Sequence, residues 1–308
     1  MTGVEKSPNK IFHLLFKKQK TYFLKEENTM AFDLNNFVID RVVRGIATAQ
    51  RKNAELGIEA GDVLFSINQI TNPSLNCTSE STDAVDALSV PIATFYRAKT
   101  AEFSAENALF DMNLMATQAG TKKKVATSTA TITSPLWVTV DVDSTGSFTL
   151  GHTLTADQAS AAKAYVLNGD GTLADKLTVG TAADRTAVAI SGDKVTYTYD
   201  ATGAAGFKAG EQIFVMAEYI ADGTEGNGAV EVANTAVNFP VGCKFIMEIL
   251  GADVCDQTNL IYAYLIFPNA KLSPDFDWSI ATDSTHPFSM RAMQEYCDKE
   301  KKLEVMVA

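Results

Sequence analysis

The chain has 308 residues, 46% of them apolar, with 26 Lys+Arg against 37 Asp+Glu and a net charge of -11. That length and apolar share fit one large domain or two ordinary ones with a sizeable core, and exclude wholesale disorder. The negative balance excludes sequestering nucleic acid by counterion release, although an acidic surface lets DNA pass without sticking.

Residues 1–29 stand apart, with six Lys against three Glu; the remaining chain then carries 20 basic and 34 acidic residues. The apolar run Ile11–Phe16 is flanked by charge and lacks a small-residue cleavage site, so it is too short for a signal peptide. Lys25-Glu26-Glu27 can be encoded as a bacterial ribosome-binding sequence just before the codon of Met30. The leader is therefore read as translated upstream DNA with a start at Met30, against the rival of a basic amphipathic arm.

Leu34, Phe37, Val38, Val42 and Ile46 follow an i, i+3, i+4 rhythm, which favours a helix or arm over Asn35–Gly45. The many β-branched residues there make a strand the rival. Asp62–Ile70 alternates as a strand, with Val63, Phe65 and Ile67 on one face. Pro73 is expected to end it or mark an edge. Residues 76–89 are polar and acidic and suit a loop or an exposed hairpin tip. Ile92–Phe103 reads as the returning strand, and Ala105–Ala119 as a strand pair or a helix, with Leu109, Met112 and Ala116 at helical spacing. A long hairpin of this kind cannot bury its own apolar face. It needs further strands or further subunits.

From Thr127 to Asn234 the texture changes to Thr, Ala, Gly, Val and Asp, with Arg185 as the one arginine. Strands are predicted at Leu136–Val142, Ser147–Leu150, Ala164–Leu167, Ala187–Ile190, Lys194–Tyr199 and Gln212–Ile220. Turn signals such as Asn168-Gly-Asp-Gly171 and Ser191-Gly-Asp193 separate them. Short strands at this spacing predict a sandwich or barrel. Tyr197, Tyr199 and Tyr219 are assigned to packing. Further on, Phe245–Leu250, Asn259–Phe267 and Asp275–Ile280 read as strands. Ser284 or Thr285 with Pro287 reads as the start of a helix through about Lys299, and Leu303–Val307 as a last strand.

Catalytic chemistry is missing from the pattern. The histidines are His13, His152 and His286, and no nucleophile elbow, zinc-helix, dinucleotide or Walker motif occurs. Asp141-Val-Asp143-Ser-Thr145-Gly146 starts like a calcium loop, but its twelfth position is His152, so a β-turn is expected. His286 is assigned to capping or packing. Asp275 and Asp277 share a face without a basic or metal-binding partner nearby. Cys77, Cys243, Cys255 and Cys297 form no CxxC and read as small buried hydrophobes, with one disulfide as the alternative. No enzyme, cofactor or metal site is expected.

The run from Asp62 to Gly120 resembles bacteriophage tail tube proteins. The likeness lies in Asn72-Pro-Ser-Leu75, Lys99-Thr-Ala-Glu-Phe-Ser-Ala-Glu-Asn107 and Gln118-Ala-Gly120. Phe239-Pro240, Phe267-Pro-Asn-Ala-Lys-Leu272 and His286-Pro-Phe288 extend it over residues 239–308. The resemblance implies a mainly β protein: an antiparallel barrel or sandwich with one or two flanking helices, built from residues 30–132 and 235–308. Residues 133–234 would form an inserted immunoglobulin-like β domain. It implies a virion structural protein of the tail, made in a bacterial host, whose hexameric rings stack into a tube. Its partners would be further copies of itself and other tail proteins such as a sheath or terminator. DNA would pass as cargo, and no membrane would be engaged. The expected oligomer contacts are Pro73, Leu75, Glu80, Asp83 and Asp86. A capsid decoration protein is the alternative, because it shares the β modules.

Overall fold

The computed structural model describes residues 36–254, 256–277, 279–294 and 300–308. The leader, the Met30 start, Cys255, Trp278, Tyr296 and Cys297 lie outside them. The chain is mainly β, with antiparallel sheets, one of them nearly closed into a barrel, and two short helices.

The barrel-like sheet has eight strands. They are β1 (Phe37–Ala49), β2 (Val63–Ile67), β3 (Ile70–Val85), β4 (Pro91–Asn107), β14 (Gly242–Asp253), β15 (Asp256–Leu272), β16 (His286–Ala292) and β17 (Val305–Val307). Their order is β2-β1-β14-β15-β16-β4-β3, with β17 added on β15. Alternate residues point inward, as a period of two requires. Phe65, Phe103, Phe245, Phe267 and Phe288 meet at the centre with ring centroids 5.7 to 6.3 Å apart. Gly45 lets the Phe245 ring lie against β1, because a Cβ there would come within 2.8 Å of the ring.

Seven strands form the second sheet: β6 (Ile132–Asp141), β7 (Ser147–Thr149), β8 (Lys163–Leu167), β9 (Leu173–Val179), β10 (Ala187–Ser191), β11 (Lys194–Tyr197) and β12 (Gln212–Ala221). The order is β6-β12-β8-β9-β10-β11-β7, with β9 and β10 parallel, while β5 (Lys124–Val125) and β13 (Val230–Glu231) pair as a short two-stranded sheet. The seven strands enclose a separate apolar cluster that includes Leu136, Leu177, Val195, Phe207, Ile213 and Val215. Tyr197 and Tyr219 are buried in it and Tyr199 packs at its edge, as the sequence suggested. All six strands predicted in this region are present. β9 and the short helix α2 (Ala156–Ala161), capped by Thr155 and Gln158, were not predicted.

One local device recurs. In Asp143-Ser-Thr145, Asp170-Gly-Thr172, Asp184-Arg-Thr186, Asp200-Ala-Thr202, Asp222-Gly-Thr224 and Asp256-Gln-Thr258, the Asp carboxylate accepts from both the backbone N–H and the hydroxyl of the Thr two residues on. These closed turns replace water as the partner of loop amides. The stretch that starts like a calcium loop is one of them: Asp143 is engaged by Thr145 and by the Tyr197 hydroxyl.

Several expectations are corrected. Residues 37–45 are strand, not helix, because β14 offers a full-length antiparallel partner and β-branched side chains suit it. Of the two readings of residues 76–89 the exposed hairpin is the one found: residues 76–85 continue β3 and lead into the tip. Pro73 marks an edge and does not end the strand: β3 is the outermost strand of its sheet, and the register shifts between Thr71 and Ser74, a bulge that accommodates a residue with no N–H. Residues 286–292 form β16 where a helix was expected, while 295–299 lie outside the described residues. Phe288 and Ala292 are four apart, a spacing that a helix face and a strand face share; buried Met290 between them decides for the strand. Among the described residues of Asp275–Ile280 no strand forms, since β15 ends at Leu272 and nothing pairs beyond it. The helix after β4 is α1 (Met112–Gln118), and it buries Leu114, Ala116, Thr117 and Gln118; Leu109 is exposed and precedes it. Cys243 is buried, which pushes its thiol up to about 12, but Cys77 is exposed and its Sγ lies 3.8 Å from Glu304.

Candidate assembly surface

β3 and β4 pair from Ile70↔Asn107 to Val85↔Pro91. β16 covers the outer edge of β4 over residues 102–107 only. Residues 91–101, at about 3.3 Å each, carry the hairpin roughly 35 Å past that support. Every residue from 71 to 99 is exposed. Polar cross-strand contacts hold this part together: Thr78 and Thr100 share a 2.7 Å hydroxyl contact, and Thr94 donates to Asp83 at 2.7 Å. The tip closes with Asp86 and Val90 paired around Ala87, Leu88 and Ser89. Ser89 takes the left-handed conformation (φ 64) of a three-residue hairpin loop. The Asp86 carboxylate accepts from the Leu88 and Val90 amides, which fixes the bend.

The tip is apolar although wholly in solvent. Val85, Leu88, Val90, Ile92, Phe95 and Tyr96 are all exposed, Leu88 by 83% and Tyr96 by 74%. An isolated ribbon of two strands is marginal, and open strand edges with apolar side chains are a template for pairing.

A second projection lies on the same side. β2 covers β1 only over Gly45–Thr48, and β16 and β17 cover β15 only over 264–272. At the β1–β14–β15 ends near Phe37, Asp253 and Asp256, no further strand among the described residues pairs with β1 over 37–44 or with β15 over 256–263, and Val38, Ile39, Leu260 and Tyr262 are exposed. Successive antiparallel pairings from β4 through β16, β15 and β14 to β1 place these ends at the pole of the hairpin tip. Asn107, Ala49, Gly242, Leu272 and His286 fall at the opposite pole.

The five residues expected as oligomer contacts are all exposed and all on this hairpin, but they fall into two groups. Pro73, in the bulge, and Leu75, opposite Phe103, lie near the barrel, whereas Glu80, Asp83 and Asp86 lie toward the tip. Glu80 sits at a second bulge, between Ser79 and Ser81. Asp86 serves the turn itself. Sequence reasoning passed over the apolar tip residues and the β1–β15 projection. An alternation of Val, Ile, Phe and Tyr reads as core-facing until the sheet is seen to stop short of them.

At the hairpin base, α1 is clamped to β16. Asp111 caps the helix by accepting from the Asn113 and Leu114 amides. Buried His286 accepts the Asp111 N–H at Nδ1 (3.4 Å), so its Nε2–H donates to the Gln118 side-chain oxygen (2.8 Å), and Gln118 donates to the Pro287 carbonyl (3.1 Å). Phe110 stacks on the imidazole at 4.9 Å. His286 is thus a packing residue. Its burial lowers its pKa, against a weaker opposing pull from Asp111.

Among the described residues no three His, Cys, Asp or Glu side chains cluster as metal ligands, and no helix is long and apolar enough to cross a membrane. Compared with known proteins, residues 89–303, more than two thirds of the chain, match the model of the YomU/Tube protein family. No curated protein matches the sequence.

Proposed function

Because the chain belongs to the YomU/Tube family, a phage tube-like family of structural proteins, we propose that it is a tail tube subunit whose rings, six copies each, stack into a conduit for the genome. The observation that carries this reading is the β3–β4 hairpin, exposed on both faces from residue 71 to 99 and apolar at its tip. Such a ribbon lacks further strand neighbours among the described residues, and an assembly supplies them. The net charge of -11 suits a wall along which DNA moves without adhering. The partners are further copies of the chain and the proteins that sheathe or terminate a tail.

In this reading residues 30–132 and 235–308 build the ring-forming barrel. Residues 133–234 form an inserted, immunoglobulin-like module carried outside it. The two separate apolar clusters and the continuous run of the second sheet from Ile132 to Ala221 support that division. Pro73, Leu75, Glu80, Asp83 and Asp86 are proposed as contacts to neighbouring copies.

Negative-stain microscopy of the purified protein tests the reading. Rings or tubes of uniform width are expected, and antibodies should label the tails of disrupted virions. A strictly monomeric protein at high concentration, or label confined to heads, would overturn it.

A further inference from the structure

Resting on the tube reading, the geometry points to a specific head-to-tail joint. We infer that the acidic hairpin tip of one copy seats in a basic groove around Lys271 at the opposite pole of the next.

The groove is where β1, β14 and β15 end. One cavity of about 640 Å³ is lined by Arg51, Lys52, Pro240, Val241, Lys271 and Met293, among others. A second, of about 390 Å³, shares Pro240, Lys271 and Met293 and adds the exposed Phe239 and Arg291. The two form one trough with an apolar floor, whose walls carry Arg51, Lys52, Lys271 and Arg291 against Glu55 and Glu102 and are therefore net cationic. Lys52 is held by Glu59 at 2.6 Å and Arg291 by Glu102 at 3.8 Å. Arg51 and Lys271 have no ion-pair partner among the described residues. Lys122, from the Lys122-Lys123-Lys124 run, donates to the Gly57 carbonyl and adds further positive charge at this pole.

The tip is the complement. Between Ser81 and Tyr96 the charged residues are Asp83 and Asp86, both acidic, while Glu80 sits in the bulge across from Arg97. None of the three forms an ion pair among the described residues. Asp83 and Asp86 lie beside Val85, Leu88, Val90 and Ile92, which match a trough floored by Pro240, Val241 and Met293. Opposite charges steer the contact, and the apolar tip supplies the desolvated centre that such joints need. Because tip and groove lie at opposite poles of one chain, the contact is heterologous. It repeats without closing, which is the symmetry of a stack.

Complementary charge reversal tests the joint. One variant carries Glu80→Lys and Asp83→Lys, a second carries Arg51→Glu and Lys271→Glu, and a third carries all four. Asp86 is left intact because it holds the turn. Circular dichroism confirms folding, and sedimentation with microscopy reads stacking against concentration. Each two-residue reversal should raise the concentration for half-maximal stacking roughly tenfold or more, and the four-residue variant should return it to within roughly threefold of the unmodified chain. Stacking that ignores either reversal, or that the combined variant does not recover, would overturn the joint alone. An unmodified chain that forms no stack at any concentration would overturn the tube reading with it.

Discussion

Two truncations of large apolar residues should separate the core from the assembly surface. Phe245 is fully buried and faces Phe65, Phe103, Phe267 and Phe288. A phenylalanine buries about 200 Å², so at about 25 cal/mol per Å² its removal costs about 5 kcal/mol. Phe245→Ala should therefore lose about 3–5 kcal/mol, a large share of the stability of an ordinary domain. The milder Phe245→Leu keeps most of the volume and should lose under about 1.5 kcal/mol. Leu88 at the hairpin tip is 83% exposed, so only about one-sixth of it is covered. One-sixth of a full leucine burial is about 0.4 kcal/mol. Leu88→Ala should leave monomer stability almost unchanged, yet weaken assembly by about tenfold in concentration, as loss of a contact of 1–2 kcal/mol does. Urea titration below the assembly threshold measures the first quantity, and sedimentation above it the second. If Leu88→Ala destabilised the monomer as much as Phe245→Ala, the hairpin tip would be part of the core and the reasoning would fail.

Gly120 takes φ +65, and a Cβ there would lie 2.3 Å from the Phe239 carbonyl carbon. Gly120→Ala should thus cost more than about 1 kcal/mol by thermal melting, whereas Gly169→Ala, with open space around it, should be near neutral. The Asp of each closed Asp-X-Thr turn has a lowered pKa, caused chiefly by its hydrogen bonds, with Asp200 at about 2. A depressed folded pKa gives stability that is complete above the ordinary Asp value and lost as pH falls below it. Denaturation curves should therefore weaken from about pH 4 toward pH 2, and Asp200→Asn should flatten part of that slope. His286 is held neutral by burial, so the unfolded chain takes up its proton first and stability falls as pH drops below about 6.5. His286→Gln should flatten the profile between pH 7 and 5 in the same urea titration; an unchanged slope would assign it to other groups.

The period-two runs and their Gly/Asp turn signals specified most of the strands, because both signals are local. From Ile132 to Ala221 the second sheet could be read almost strand by strand, since each run is short and bracketed by its own turn. The hairpin was legible as two runs in need of partners, and the charge of Glu80, Asp83 and Asp86 was legible as composition. Where spacing fitted two periods, only the tertiary structure decided. Residues 37–45 became strand because β14 lies beside them for their full length. Residues 286–292 became strand because β4 and the end of β15 were waiting on either side. Likewise, no local pattern says that β16 stops covering β4 at Glu102, and that limit turns an apolar alternation into an exposed tip. The trough at the other pole gathers Arg51, Pro240 and Lys271 from distant parts of the chain. Hydrophobic periodicity records which side of an element faces apolar neighbours, but not whether those neighbours belong to the same chain; pairing register across the sheet is what separates the two.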